Sequence, residues 1–327
     1  MPLLEVKNLV KRFPIKGGLF GRVQGYVHAV SGVSLAIEEG QTLGLVGESG
    51  SGKTTLGRTI LQLLKPDDGE VIFDGQNLSK LSASRLRKLR RQFQIIFQDP
   101  YSSLNPRMTI EDVLSEGMVI YRTGGKGARR KRVLELLEIV GLPSDAAGKY
   151  PHEFSGGQRQ RIGIARALSL LPKLMICDEP VSALDVSIQA QIINLLIDLK
   201  KEFGLTYLFI SHDLKVVHQI SDRIVVMYLG KIMEDLPAEA LFISRHPYTQ
   251  ALLAAIPRPD PRVKGPRKVL QGEIPSPIHP PSGCVFHTRC PFAQEICKRE
   301  VPVLRELASG HQAACHLAEE IPKFEMP

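Results

Sequence analysis

A short apolar run, "TLGLV" at residues 42–46, leads directly into "GESGSGKT" at residues 47–54, and no other stretch constrains this chain as much. The eight residues satisfy G-x-x-x-x-G-K-[ST] in full. Such a loop works only where a buried strand hands the chain to the N-terminus of a helix, so the pattern predicts an α/β fold with a strand before residue 47 and a helix from Lys53 onward. Gly47, Gly50 and Gly52 allow the loop amides to turn inward, with Glu48, Ser49 and Ser51 between them. Lys53 is placed to meet β- and γ-phosphates. The Thr54 hydroxyl, followed by Thr55, is placed to ligate Mg²⁺. The expected ligand is a nucleoside triphosphate with its magnesium.

The rest of the chain fits that class. "FQIIF" (93–97), "LMIC" (174–177), "TYLFI" (206–210) and "RIVVMY" (223–228) are short apolar runs suited to strands buried on both faces. Helical patterns occupy Lys53–Leu64, Arg129–Ile139, Gln158–Leu170 and Ser187–Phe203, and the alternation argues for a parallel sheet wrapped by helices. The first 40 residues differ. "LLEVKNLVKRF" and "HAVSGVSLAI" alternate as antiparallel strands, joined by a Gly-rich connection. Residues 257–281 hold eight prolines, which excludes helix and central strand and marks a linker. The division expected is therefore a nucleotide-binding domain over 1–256, with a helical subdomain at about 99–170, the linker 257–281, and a small Cys-rich region over 282–327.

Composition narrows the function classes. Trp is absent and aromatic residues make up 6%, so a base-stacking surface is not expected. The net charge of +8 permits contact with nucleic acid or anionic lipid but is met by ordinary solvated surface. The basic stretch "SRLRKLRRQ" (84–92) spreads its charges around a helix and reads first as solvated. No apolar run approaches the roughly 20 residues a bilayer-spanning helix needs, and the N-terminus lacks a secretory pattern, so a cytosolic location is expected.

A second acidic element, "LMICDEP" (174–180), ends an apolar strand in Asp178, placed for the Mg²⁺ shell, and Glu179, placed to polarise a water for attack on the γ-phosphate. Cys177, inside the run, reads as a small buried hydrophobe. "FSGGQRQRIGIARAL" (154–168) opens another helix with Ser and two Gly, a second anion cradle about 100 residues from the first. One nucleotide does not need both, unless the second serves a nucleotide held by another subunit. At these residues the chain resembles the ATP-binding subunits of ABC transporters. Ser155, Gly156, Gly157 and Gln158 match that family's signature, with Phe154 where Leu is more usual. The resemblance implies that Gln98 in "FQDP" links Mg²⁺ and water to the transmembrane partner, that Asp185 in "SALD" crosses the dimer interface, and that His212 in "ISHD" contacts the γ-phosphate. It places the adenine-stacking aromatic at Phe13, with Tyr26 a rival.

The absence of fused membrane helices, of a long coiled coil and of a second cassette points to a separate importer ATPase. "QDPYSSLNPRM", "MYLGKIMED", "HPYTQALLAAIP" and "GEIPSPIHPPSGC" resemble the ATPase subunits of oligopeptide and dipeptide importers, in particular the second of their two ATPases. The implied partners are a sister ATPase forming a heterodimer, two transmembrane permeases, one of which docks near "YSSLNP" (101–106), and an extracytoplasmic solute-binding protein. The implied place is the cytoplasmic face of the inner membrane. The alternative is a soluble nucleic-acid-associated ATPase of the same family.

Cys284, Cys290, Cys297 and Cys315 are separated by five, six and seventeen residues, without the tight knuckle of structural zinc sites, so spacing alone decides little. Clustered cysteines in a cytosolic chain point first to metal. The peptide-importer resemblance implies a [4Fe-4S] cluster on these four thiolates acting as a structural staple, with zinc, or free or disulfide-bonded thiols, still open. His279, His287, His311 and His316 crowd the same region as substitute ligands or, more simply, surface residues.

Overall fold

The apolar runs become strands, and the polar segments between them become turns and helix starts. The computed structural model describes residues 1–17, 22–256, 272–322 and 324; the Gly-rich connection at 18–21 and residues 257–271 of the expected linker lie outside the described residues. In chain order the strands are β1 (Leu4–Gly17), β2 (Arg22–Ile37), β3 (Thr42–Val46), β4 (Asp68–Phe73), β5 (Gln76–Asn77) and β6 (Phe93–Ile96). They continue as β7 (Leu174–Asp178), β8 (Thr206–Ser211), β9 (Arg223–Tyr228), β10 (Lys231–Pro237), β11 (Arg305–Ala308) and β12 (His311–Ala313). Two compact units are assembled from separate stretches. One holds Met1–Pro2, Ile37–Thr42 and Lys80–Ile210; the other holds Leu3–Ala36, Leu43–Ser79 and the described residues of Ser211–Pro327.

In the Lys80–Ile210 unit, β6, β7 and β8 pair in parallel, with Phe93 opposite Leu174 and Leu174 opposite Thr206. Every residue of β7 is buried. The helices Ile110–Ile120, Lys126–Ile139 and Gly156–Leu168 bury one apolar face each, through residues such as Val113, Leu114, Leu136, Leu137, Ile162 and Ile164. Thr109 starts the first of these, its hydroxyl accepting the Asp112 N–H at 3.2 Å. The basic stretch forms the helix Ala83–Leu89, none of whose residues is buried, which is the solvated face its charge spread predicts. The helix Val186–Phe203 packs close to the start of Gly156–Leu168: a Cβ on Gly157 would lie 2.6 Å from Ile188 Cγ2.

In the other unit, the N-terminal strands form the expected antiparallel sheet, in the order β2-β1-β4-β5, with Leu4 opposite Phe73 and Val6 opposite Val71. β3 pairs in parallel with β9, but β9 turns back antiparallel to β10, which pairs with β12, and β12 with β11. The sheet is therefore mixed, where alternation of strands and helices had predicted a parallel one. The reversal is a two-residue turn, Leu229 at φ 43° and Gly230 at φ 78°, whose left-handed pair matches the twist of a tight hairpin. C-terminal strands thus extend a sheet begun near the N-terminus, in place of the separate Cys-rich metal-binding domain expected from sequence. A buried carboxylate fixes them. Glu234 on β10 is 0% exposed, and its Oε1 lies 2.8 Å from His311 Nε2 on β12 while accepting the Arg245 N–H at 2.6 Å.

Two outcomes follow from this packing. His311→Ala removes a hydrogen bond to a buried carboxylate and lowers unfolding free energy by about 1.5–3 kcal/mol in urea titrations; a variant within error of wild type removes the pair from the forces holding β12. Gly157→Ala costs about 1–3 kcal/mol through overpacking, and less in an Ile188→Ala background. An equal cost in both backgrounds rules out the Ile188 contact as its cause.

Candidate nucleotide site

The phosphate loop lies between β3 and the helix Lys53–Ile60, as its motif requires. Its glycines are fixed by backbone neighbours. A Cβ on Gly47 would lie 2.1 Å from Met227 O, and one on Gly52, at φ 102°, 2.0 Å from Ala29 O. Gly50 has φ 77° and nothing within 4 Å, so there it is the left-handed backbone that calls for glycine. The turn Leu229–Gly230 braces the loop, the Gly230 N–H donating to Ser51 O at 2.9 Å. Lys53 is 4% exposed, and its Nζ donates to Gly47 O at 2.7 Å, Glu48 O at 2.9 Å and Ser51 Oγ at 3.3 Å. The ammonium is held at the mouth of its own loop by carbonyl oxygens. Such a cradle fits a polyphosphate, and the hydroxyl of Thr54 is an oxygen donor of the kind a hard cation such as Mg²⁺ takes. Ser49 is exposed at the loop tip, and Thr54 and Thr55 are half-buried.

In the same unit Phe13 is half-buried on β1, with Lys11 Nζ 5.5 Å from its ring centroid, while Tyr26 is exposed. His212 is exposed just after β8. The following residue, Asp213, caps the next helix by accepting the Lys215 N–H at 2.8 Å.

The other unit carries the acidic element. Asp178 is buried at the end of β7. Glu179 takes φ 48°, a left-handed backbone that costs a non-glycine residue energy and persists only where neighbours enforce it. Here its N–H donates to Ile210 O at 2.9 Å, and its Oε2 accepts from Gln98 Nε2 at 3.0 Å. Two residues 81 positions apart, both singled out from the sequence, therefore touch. Ser155 caps its helix reciprocally with Gln158: Ser155 Oγ accepts the Gln158 N–H at 3.3 Å and Gln158 Oε1 accepts the Ser155 N–H at 3.0 Å. The first-turn amides of Gly156 and Gly157 have no acceptor within a helix that starts there. Asp185 caps the helix Val186–Phe203 through Ser187 Oγ at 2.6 Å and the Ile188 N–H at 2.9 Å, and these bonds hold its carboxyl below the ordinary aspartate range.

Sequence reasoning missed several contacts. Arg159, buried behind the signature, lays its guanidinium 3.9 Å from the Tyr101 ring centroid and donates from Nε to Pro151 O at 2.6 Å. Tyr101, the first residue of "YSSLNP", is 64% exposed, so its outer face remains open to solvent. Arg289 of the Cys-rich region pairs with Glu48 of the phosphate loop, Nη1 to Oε2 at 2.7 Å and Nη2 to Oε1 at 3.1 Å. No spacing rule links residues 241 apart.

The metal expectation is not met. Among the described residues no group of three or more His, Cys, Asp or Glu is placed to hold a metal ion. Cys284, Cys290, Cys297 and Cys315 line one small cavity of about 10 Å³, the room of a single water rather than of a four-iron cluster. Burial pushes the Cys290 thiol up to about 11 and that of Cys315 up to about 12. All five cysteines are free, which excludes the disulfide alternative as well. The nearby histidines have other partners: His311 binds Glu234, His316 Nε2 lies 3.0 Å from Glu300 O, and His287 Nδ1 lies 2.9 Å from Cys284 O.

Comparison with known proteins agrees with this arrangement. Residues 30–182 match the ABC transporter family, and residues 233–297 match the oligopeptide/dipeptide transporter C-terminal region. The chain is 56% identical over 319 residues to the oligopeptide transport ATP-binding protein AppF of Bacillus subtilis, covering 96% of this chain and 97% of that protein. A putative peptide import ATP-binding protein of Brucella ovis is 54% identical over 315 residues, with 96% and 97% covered. Among solved structures, the dimeric ATP-binding cassette MJ0796 bound to ADP and Pi aligns with a TM-score of 0.64 at 32% identity, covering 72% of this chain and 98% of that one. The chain belongs to the ABC transporter family, as an ATP-binding subunit with the C-terminal region of its oligopeptide/dipeptide members.

Proposed function

We propose that this chain is the ATP-hydrolysing motor subunit of an importer for di- and oligopeptides. Membership of the family brings membrane permeases and a substrate-binding protein as partners. Among the described residues no helix is long and apolar enough to cross a membrane, which suits a peripheral subunit at the cytoplasmic face. The sister ATPase completes the assembly as a heterodimer. Residues 1–256 form the nucleotide-binding domain in this reading, with the helical subdomain at about 99–170 and Tyr101 on the face offered to a permease.

The observation that carries the reading is the Gln98–Glu179 contact. Phosphoryl transfer to water is largely positioning and charge stabilisation, with little covalent work for the protein. Glu179 is the base that takes the proton of the attacking water. Gln98 holds that carboxylate in place and reports the state of the site toward the permease. Gly47 to Thr55 cradle the phosphates, Phe13 stacks on the base, and Lys53 and His212 stabilise charge developing on the γ-phosphoryl group. Thr54, Gln98 and Asp178 would hold the Mg²⁺, which would neutralise phosphate oxygens. Ser155, Gly156, Gly157 and Gln158 close the nucleotide site of the partner ATPase, and Asp185 lines the shared face. The dimeric form of MJ0796, with its ADP and Pi, supports a site completed in trans. No observation favours the nucleic-acid-associated alternative.

Glu179→Gln keeps the shape of the side chain and its contact with Gln98 but removes the base. It should bind Mg-ATP as tightly as wild type, lose at least about 100-fold in hydrolysis and accumulate as a closed dimer on gel filtration with ATP. Hydrolysis at the wild-type rate takes the base assignment away from Glu179.

A further inference from the structure

The loop that cradles phosphate contains a carboxylate. Glu48 is the second residue of the motif, and its own carbonyl oxygen lies 2.9 Å from Lys53 Nζ, the ammonium that meets phosphate. A free carboxylate there repels a triphosphate. In this chain it is engaged by Arg289 in a two-bond fork, Nη1 to Oε2 at 2.7 Å and Nη2 to Oε1 at 3.1 Å. The Arg289 side chain is 5% exposed and that of Glu48 23%, so the pair is largely withdrawn from solvent screening. The bonded carboxylate raises the guanidinium's pKa above its ordinary value, so the charge on Arg289 is permanent. The main chain of Glu48 is fixed as well, its N–H donating to Tyr248 Oη at 2.9 Å. Arg289 Nη1 also donates to Tyr228 Oη at 3.3 Å. Phe286, from the same C-terminal region as Arg289 and 1% exposed, packs between these tyrosines at ring distances of 5.4 Å and 5.2 Å.

We propose that Arg289 is a positioning residue for the nucleotide site: it neutralises Glu48 and holds that carboxylate away from the phosphates, so that ATP affinity depends on the C-terminal region being docked. The inference rests on the ATP-binding reading of the loop. Its sign is specific. Loss of Arg289 leaves an unpaired carboxylate beside the cradle, and removing that carboxylate as well relieves the repulsion.

The test is Mg-ATP binding by calorimetry on the full-length chain. Arg289→Gln should weaken binding by about tenfold or more, Arg289→Lys should retain most of the affinity, and adding Glu48→Gln to Arg289→Gln should restore it to within about threefold of wild type. A purely structural role for Arg289 does not predict that rescue, because a second lost partner cannot refold the region. Wild-type affinity in Arg289→Gln overturns the proposal, and so does a weakened affinity that Glu48→Gln fails to restore. If the wild-type chain itself binds no Mg-ATP while the Lys53→Ala control behaves identically, the ATP-binding reading falls and the proposal with it.

Discussion

Close backbone approach around the phosphate loop is the constraint on which the rest depends. Gly47 has no room for a side chain because Met227 O occupies it, and Gly52 none because of Ala29 O. The loop is therefore shaped by β9 and by the middle of β2. A cradle held by its own scaffold needs little reorganisation when phosphate arrives, which is where electrostatic stabilisation gains most. Lys53 follows the same logic. Its buried ammonium is held by the carbonyls of Gly47 and Glu48, and phosphate oxygens offer it equivalent acceptors. Binding then exchanges one set of hydrogen bonds for a charge-assisted set and does not require the Lys53 ammonium to be desolvated anew.

The acidic and signature elements use strain and close packing in the same way. Glu179 holds a left-handed backbone because Ile210 O fixes its amide and Gln98 its carboxylate. A carboxylate so constrained has few orientations open to it. Gly157 is glycine for a reason visible within the subunit, the Ile188 side chain. The capping box at Ser155 and Gln158 sets the helix start from within the chain. Each half of the chemistry is thus prepared by contacts that fold the chain anyway.

Much of this was legible in the sequence, and the rest was hidden for physical reasons. β3, β7, β8 and β9 were visible as apolar runs because both faces of each are buried, and β6 because its ends, Phe93 and Ile96, are buried. The loop, the acids and the signature were visible because their function fixes residue types at short spacing. The hairpin joining β9 to β10 was not: Leu229 takes φ 43°, and leucine carries no turn signal. The contacts of Arg289 and Tyr248 with Glu48 were not visible either, since contacts spanning 241 and 200 residues leave no local pattern. The cysteines misled for a different reason. Crowding in a cytosolic chain pointed to metal and the peptide-importer resemblance implied a [4Fe-4S] cluster, while the spacing itself decided little. Together with Phe286 and Leu317 the four sulfurs instead line one small apolar cavity.

That outcome changes what holds the C-terminal region in place. A short segment with little apolar content normally needs a staple, because its own core cannot offset the entropy of ordering. Here the segment adds strands to an existing sheet, with β12 pairing to β10, and so shares a core already formed. Two desolvated contacts fix its position: His311 against the buried Glu234, and Arg289 against Glu48. Phe286 joins them by packing on Tyr228 and Tyr248, the tyrosines whose hydroxyls engage Arg289 and the Glu48 amide. Contacts that share partners in this way are not additive, so loss of any one weakens the others. Order in the C-terminal region and the geometry of the phosphate loop are then parts of one cooperative set, and a metal is not needed to explain either.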